Sequence, residues 1–122
     1  MAIHDYQQYK SQSVMTMTAG EMLLLLYDEI GKRLMRAQVA LKKEDYPLFD
    51  ASVQRCVEIV QYLKDTLDFH YEISFELNRM YDFFLYQLSR LSAGRNPKVI
   101  DELHPLVKEL RDAFEEASKL AN

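Results

Sequence analysis

Apolar residues recur at alternating intervals of three and four positions along four stretches of this chain, a spacing typical of helices that bury one side. The four series are Leu23, Leu26, Ile30, Leu34, Ala37 and Leu41; Phe49, Val53, Cys56, Val60, Leu63 and Leu67; Ile73, Leu77, Met80, Phe84, Leu88 and Leu91; and Ile100, Leu103, Val107, Leu110, Phe114, Ala117 and Ala121. Each stretch spans about 20 residues or more, and the short connections require neighbouring helices to be antiparallel. The pattern predicts an all-α fold, an antiparallel up-down four-helix bundle formed by residues 18–122, with helices at about 19–43, 47–69, 72–93 and 97–120.

Local sequence signals mark where several of these helices begin and end. Thr18 and Glu21 have the spacing of a capping box, which starts the first helix. Gly94 is suited to end the third helix, and the pair Asn96–Pro97 is suited to start the fourth. Pro105 lies beyond the position at which a helix tolerates proline, so we expect a kink or a shifted start there.

Residues 1–17 show no helical period and are rich in Gln, Ser and Thr. We interpret them as a short N-terminal tail whose apolar residues Ile3, Tyr6 and Tyr9 anchor it on a groove of the bundle. The alternative is a disordered terminus, because chain ends are often poorly ordered.

The third predicted helix carries more apolar side chains than one core can take. Met80, Tyr81 and the run Phe83–Tyr86 point in nearly all directions around the helix axis, whereas a helix buries a stripe of about 100°. Phe84 is expected in the core. Some of the remaining apolar surface stays exposed, and in a small protein such a surface favours partner binding.

Length, charge and composition narrow the classes of function. A chain of 122 residues suits one domain, and its net charge of -4 argues against nucleic acid as the main partner. The single Cys56 excludes an intrachain disulfide, which fits a reducing compartment. The first residues show no secretory signal, and the longest apolar run, Met22–Tyr27, is far below the ~20 residues that span a bilayer. We therefore expect a cytoplasmic protein that does not insert into membranes.

The sequence contains no catalytic or cofactor-binding motif. It has no pair of Glu-x-x-His motifs for a di-metal centre, no glycine-rich phosphate loop and no Gly-x-Ser-x-Gly. His4, His70 and His104 lie on different predicted elements. Cys56 falls at a core position, where a thiol usually serves as a small apolar group. We expect no enzymatic activity, no metal ion and no cofactor.

Five short motifs stand in order along the chain, from about residue 9 to residue 117. They are Tyr9 with Val14, Thr16 and Thr18 before the first helix, Leu25–Asp28, Ile59–Leu67, Met80–Phe83 and Leu110–Phe114. In this order and spacing they resemble the motifs of the flagellar secretion chaperones of the FliS family. The resemblance implies a helical bundle that holds the disordered C-terminal segment of flagellin, keeps it from polymerising in the cytoplasm and presents it to the flagellar type III export gate.

On this reading, aromatic side chains line a groove that binds flagellin. For each aromatic residue the alternative is packing in the core. Asp28 and Asp82 each follow a tyrosine of one of the motifs, Tyr27 or Tyr81. We expect these two carboxylates to cap or orient the bound segment. The alternative is that they lie on a solvated helix face. The predicted groove residues are Tyr27, Asp28, Tyr46, Phe49, Tyr81, Asp82, Phe83 and Tyr86.

A different class of function uses the same aromatic face for self-association. The protein would then be a structural or adaptor bundle that forms a homodimer and has no flagellin client. A tight dimer whose interface buries Tyr81 and Phe83 would favour this alternative.

Overall fold

The computed structural model describes residues 19–121, with side chains for residues 19–120. The predicted tail at residues 1–17, its anchors Ile3, Tyr6 and Tyr9, and the capping residue Thr18 lie outside this range. The predicted all-α fold is confirmed. The described part of the chain contains no strand and four helices, α1 (Ala19–Lys42), α2 (Tyr46–Asp65), α3 (Ile73–Gly94) and α4 (Pro97–Ala121).

The four helices form a closed ring of neighbours. Each helix packs against the next in the chain, and α4 also packs against α1. The contacts of α1 with α2 and with α4 are more extensive than those between α3 and α4. This arrangement fits the antiparallel up-down order expected from the short connections, and it leaves the α3–α4 seam the least closely packed.

The core is built largely from the predicted intervals of three and four. Burial of one large apolar side chain contributes about 1.5–3 kcal/mol, so a stripe on each helix is enough to hold the bundle together. The buried members of the predicted series include Ile30, Leu34, Phe49, Val53, Cys56, Val60, Phe84, Leu88, Ile100 and Leu103.

Within residues 19–120, three residues of the predicted series lie outside the core; the side chain of Ala121, the last member, lies outside the described range. Ile73 and Met80 of α3 are 58% and 42% exposed, and Ala117 of α4 is exposed as well. Tyr81, directly after Met80, is buried in its place. One residue along a helix corresponds to a rotation of about 100°, so the buried stripe of α3 is turned toward the side on which Tyr81 lies.

Side chains cap the starts of α2 and α4. The backbone N–H of Leu48 donates to Asp45 Oδ1 at 3.2 Å, which satisfies one of the free amides at the start of α2. The backbone N–H of Lys98 donates in the same way to Asn96 Oδ1 at 3.0 Å, and Pro97 is the first residue of α4. The predicted start at Asn96–Pro97 is therefore confirmed.

The connection between α2 and α3 begins earlier than predicted, because α2 ends at Asp65 rather than near residue 69. Side chains within the connection form hydrogen bonds with its backbone groups instead. The Ser74 hydroxyl donates to the backbone carbonyl of Asp68 at 2.6 Å, and the backbone N–H of His70 donates to Asp68 Oδ1 at 3.0 Å. These bonds hold the chain in a turn that takes the place of the last helical turn expected for α2.

The end of α3 differs from the prediction by one residue. Gly94 stays helical, and Arg95 adopts the left-handed conformation with φ at 50°; its backbone N–H donates to the Leu91 carbonyl at 2.8 Å. The predicted shift of the α4 start to Pro105 is wrong, because α4 begins at Pro97 and continues through Pro105.

Gly31 offers a direct test of the packing between α1 and α4. A Cβ atom at this position would lie 3.6 Å from His104 Nε2, an ordinary van der Waals contact. Gly31→Ala should therefore raise the free energy of unfolding by about 0.5–1 kcal/mol, because alanine loses less conformational entropy in a helix. Urea unfolding measures the change, and a loss of stability would show that α1 and α4 approach too closely for a methyl group.

Candidate functional site

A groove of about 600 Å³ runs between α3 and α4, along the least closely packed seam. On the α3 side, Phe83 and Met80 are 44% and 42% exposed. Leu106 lines the groove from α4 and is 38% exposed, and the buried Phe84 lies beneath. We term this surface the α3–α4 groove. It is open and apolar, and no described part of the chain covers it.

The groove follows from the distribution of apolar side chains around α3. Tyr81 and Phe84 fill the core, and Phe83, one residue before Phe84, is rotated by about 100° out of it. The rings of Phe83 and Phe84 remain in contact, with 6.4 Å between their centroids. The exposed ring is therefore supported from below by a core residue, which favours a fixed position for it.

A second groove, of about 510 Å³, lies between α1 and α4 and has a different character. An ion pair crosses it, because Arg111 Nε of α4 donates to Asp28 Oδ1 of α1 at 2.9 Å. Arg111 also bonds Asp112 and Glu115 on its own helix. Among the described residues no ion pair crosses the α3–α4 groove, so its apolar side chains are accessible without the separation of charges.

Three of the predicted groove aromatics lie in the core instead. Tyr27 and Tyr81 are each 1% exposed, and Phe49 is fully buried. Core packing is the alternative that the sequence leaves open for these residues, and the structure places them there. Their apolar spacing on α1, α2 and α3 puts them on the buried stripes. Of the three, Tyr27 also lies at the base of the α1–α4 groove, beside Asp28.

Tyr27 and Tyr81 share a buried hydrogen bond, with 2.5 Å between their hydroxyl oxygens. Burial raises the pKa of both phenols, and the hydrogen bond from the Tyr27 hydroxyl adds to the rise at Tyr27. The ring of Tyr27 also contacts the ring of Phe114, with 5.6 Å between centroids. The pair thus links α1 to α3 and to α4, and its role in this structure is to hold the core together.

The two predicted acidic residues bond to cations on neighbouring helices. Asp28 pairs with Arg111 as described above, and Lys64 Nζ of α2 lies 2.6 Å from Asp82 Oδ1 of α3. Ion pairs at such partly exposed positions contribute about 0–1 kcal/mol to stability. An orienting role of Asp28 and Asp82 toward a bound segment stays a prediction.

The other three predicted aromatics are exposed but lie in different places. Phe83 lines the α3–α4 groove, whereas Tyr86 is 63% exposed on α3 and is not among the residues that line it. Tyr46 stands at the start of α2, where the Arg95 guanidinium lies 4.2 Å from its ring centroid in a cation–π contact. Of the six predicted aromatics, only Phe83 lies in this groove.

Three exposed apolar residues that line the groove are not among the predicted groove residues. The apolar spacing predicts a core position for Met80, and it leaves Leu106 and Ala113 of α4 unused. A signal for the last two is present, because Leu106 and Ala113 are two helical turns apart and therefore share one side of α4. A second, parallel apolar series beside the core series indicates a surface that another helix can contact.

Catalytic chemistry finds no support in the described residues. No group of His, Cys, Asp and Glu side chains within residues 19–120 could hold a metal ion. Burial raises the pKa of the Cys56 thiol to about 12, the opposite of what a nucleophilic cysteine requires. None of the helices in this range is long and apolar enough to cross a bilayer.

Comparison with known protein families gives a match over nearly the whole chain. The family model described as flagellar protein FliS matches residues 2–121. This chain belongs to the FliS family. The resemblance inferred from the five motifs is thereby confirmed.

FliS proteins from several bacteria are similar to this chain over most of their length. The flagellar secretion chaperone FliS of Bacillus subtilis is 30% identical over 118 residues, which cover 96% of this chain and 89% of that protein. The FliS of Salmonella typhimurium is 24% identical, with 98% and 92% covered. A crystal structure described as a flagellar chaperone from bacteria has a TM-score of 0.78 and 19% identity over 98% of both chains, and so has the same fold. FliS members are chaperones, so this chain is a flagellar export chaperone and not an enzyme.

The buried tyrosine pair of this FliS protein yields a prediction about stability. Tyr27→Phe or Tyr81→Phe alone leaves the other hydroxyl buried without its partner, which costs about 1–3 kcal/mol. The double variant removes both hydroxyls and should lose less than the sum of the two single losses. Urea unfolding followed by circular dichroism measures all four proteins, and strictly additive losses would show that the two hydroxyls do not depend on each other.

Proposed function

We propose that this chain binds the disordered C-terminal segment of flagellin in the bacterial cytoplasm, prevents its premature polymerisation and delivers it to the flagellar type III export gate. The observation that carries the proposal is the α3–α4 groove, where Phe83, Met80 and Leu106 are exposed together. The relatives named flagellar secretion chaperones support a flagellar client and partners in the export machinery.

The geometry of the groove suits an amphipathic segment that folds on binding. Ordering such a segment costs about 1–2 kcal/mol per residue, and burial of apolar surface returns about 25 cal/mol per Å². A client helix presents apolar residues at intervals of three and four, and it fits between two parallel rows of apolar side chains. Met80 and Phe83 supply one row, and Leu106 and Ala113 supply the other. A flagellin segment held there cannot use the same apolar stripe to assemble with other flagellin molecules.

Phe83 provides the main test. Phe83→Ser should weaken binding of the flagellin C-terminal peptide by about ten- to a hundredfold, since burial of a phenylalanine side chain contributes about 1.5–3 kcal/mol. Titration calorimetry at several temperatures measures the affinity, and the unchanged chain should show a large negative heat-capacity change on binding. Helical circular dichroism should be retained, because Phe83 lies outside the core.

Tyr62→Ser is the matched control, because Tyr62 is 55% exposed on α2 and does not line the α3–α4 groove. An equal loss of affinity in both variants would contradict the proposed site. Absence of binding to the unchanged chain would contradict the proposed client. A dimer detected by light scattering and dissociated by Phe83→Ser would instead favour the self-associating bundle without a flagellin client.

The proposal extends to the N-terminal residues, which lie outside the described range. Ile3, Tyr6 and Tyr9 are proposed to cover the groove before flagellin binds and to contact the export gate after their release, an inference that rests on the apolar residues of this segment. Deletion of residues 2–12 should raise the affinity for flagellin or change the rate of its export. Titration and a secretion assay test this, and the idea is wrong if neither quantity changes.

A further inference from the structure

Three glutamates with no partner border the apolar surface between α3 and α4. Glu76 and Glu109 line the α3–α4 groove, and Glu72 stands directly before α3. Within the described part of the chain, none of the three side chains forms an ion pair or a hydrogen bond. Asp28 and Asp82, by contrast, each bond to a cation of a neighbouring helix. The carboxylates beside the groove are therefore available to a bound molecule.

The apolar surface continues past the groove toward the α2–α3 connection. A neighbouring hollow lined by Ile73 and Phe75 shares Glu76 and Arg79 with the groove, so the two are contiguous. Ile73 and Phe75 are 58% and 53% exposed, and the ring of Phe75 contacts that of Phe69, with 5.2 Å between centroids. Groove and hollow together form one surface, which we term the acidic-rimmed surface.

We propose that the acidic-rimmed surface selects client segments in which Lys or Arg side chains alternate with apolar ones. This inference rests on the proposed function and specifies which part of the client the surface binds. The three carboxylates outnumber the single guanidinium of Arg79, so the rim carries a net negative charge. A cation on the client reaches a carboxylate at the edge of a water-excluding contact, where the attraction exceeds that in open solvent. An acidic segment is repelled by the same groups.

Charge also favours the client over two other occupants, a second copy of the chain and the N-terminal residues that are proposed to cover the groove before flagellin binds. A second copy of this chain brings its own net charge of -4, and a symmetric contact would place the glutamates of both copies opposite each other. Residues 1–18 carry one lysine, Lys10, and one acidic residue, Asp5, so their side chains bring no net cation to the rim. A basic, apolar segment of the client fits the surface better than either.

The test removes negative charge from the rim and keeps the size of the side chains. In Glu76→Gln/Glu109→Gln the apolar groove is kept and two carboxylates are lost. The affinity for the flagellin C-terminal peptide at low salt should fall by about tenfold, and the dependence of the affinity on salt should become weaker. Glu44→Gln/Glu58→Gln is the matched control, with the same change in net charge on the α1–α2 turn and on α2. It should bind like the unchanged chain.

A second experiment changes the charges of the flagellin peptide, and a third changes Phe75 in the hollow beside the groove. A flagellin peptide with its Lys and Arg residues replaced by Gln should bind the unchanged chain about tenfold more weakly, with no further loss against the Glu76→Gln/Glu109→Gln variant. Phe75→Ser should weaken binding several-fold more than the control Tyr62→Ser. A peptide that loses no affinity on neutralisation, or a rim variant that binds like its control, would overturn the inference.

The outcomes separate this inference from the proposed function. If Phe83→Ser abolishes binding while the rim variant matches its control, flagellin binding stands and only the charge selection fails. If the peptide does not bind the unchanged chain, both fail. If the rim variant changes the self-association of the free protein rather than the affinity for the peptide, the surface serves a second copy and the inference is overturned.

Discussion

Each helix of a four-helix bundle can turn a stripe of about 100° toward the core, and α3 carries apolar side chains over a wider arc than that. The bundle buries Tyr81, Phe84, Leu88 and Leu91 of this helix. It leaves Met80, Phe83 and Tyr86 exposed. The weak packing of α4 on α3 follows, because the exposed row on α3 is not matched by an equally large row on α4. Part of what α3 cannot bury, Met80 and Phe83, lies along the seam with α4, and that seam is the candidate site of this FliS protein.

Tyr27 and Tyr81, which belong to the sequence motifs, have a structural role because a buried hydroxyl group needs a hydrogen-bond partner. A phenol can be buried at low cost when its hydroxyl has a partner, and the hydroxyls of Tyr27 and Tyr81 supply each other. The bond joins α1 to α3, which are not neighbours in the ring of helices. Phe114 of α4 packs on the ring of Tyr27. The pair fixes the rotation of α3 about its axis. That rotation places Phe83 at the α3–α4 seam, so the buried tyrosines act on the site through position rather than through contact.

The sequence predicts the helices well and the site only in part, for reasons visible in single residues. The 3–4 spacing and the capping signal at Asn96 depend on neighbours in the chain, and both are confirmed by the structure. Met80 and Tyr81 are adjacent and both apolar, so either could begin a buried stripe. Tyr81 is the buried one, and its hydroxyl bonds to that of Tyr27, a residue far away in the sequence. Arg95, and not Gly94, takes the left-handed position that ends α3, one residue later than the glycine signal indicates. Contacts between distant residues, which no local pattern contains, set the remaining differences.

The two grooves beside α4 differ in what a client would have to displace. In the α1–α4 groove an entering segment meets Arg111 bonded to Asp28, Asp112 and Glu115, and separating such a network exposes charges that lose their partners. In the α3–α4 groove it meets Phe83, Met80 and Leu106, which lose only contact with water. A weakly ordered chain gains little from each contact after its ordering cost, so the surface that requires no bonds to be broken is favoured. The proposed preference of a client for the α3–α4 side of α4 rests on this difference in cost between the two grooves, whose volumes are similar.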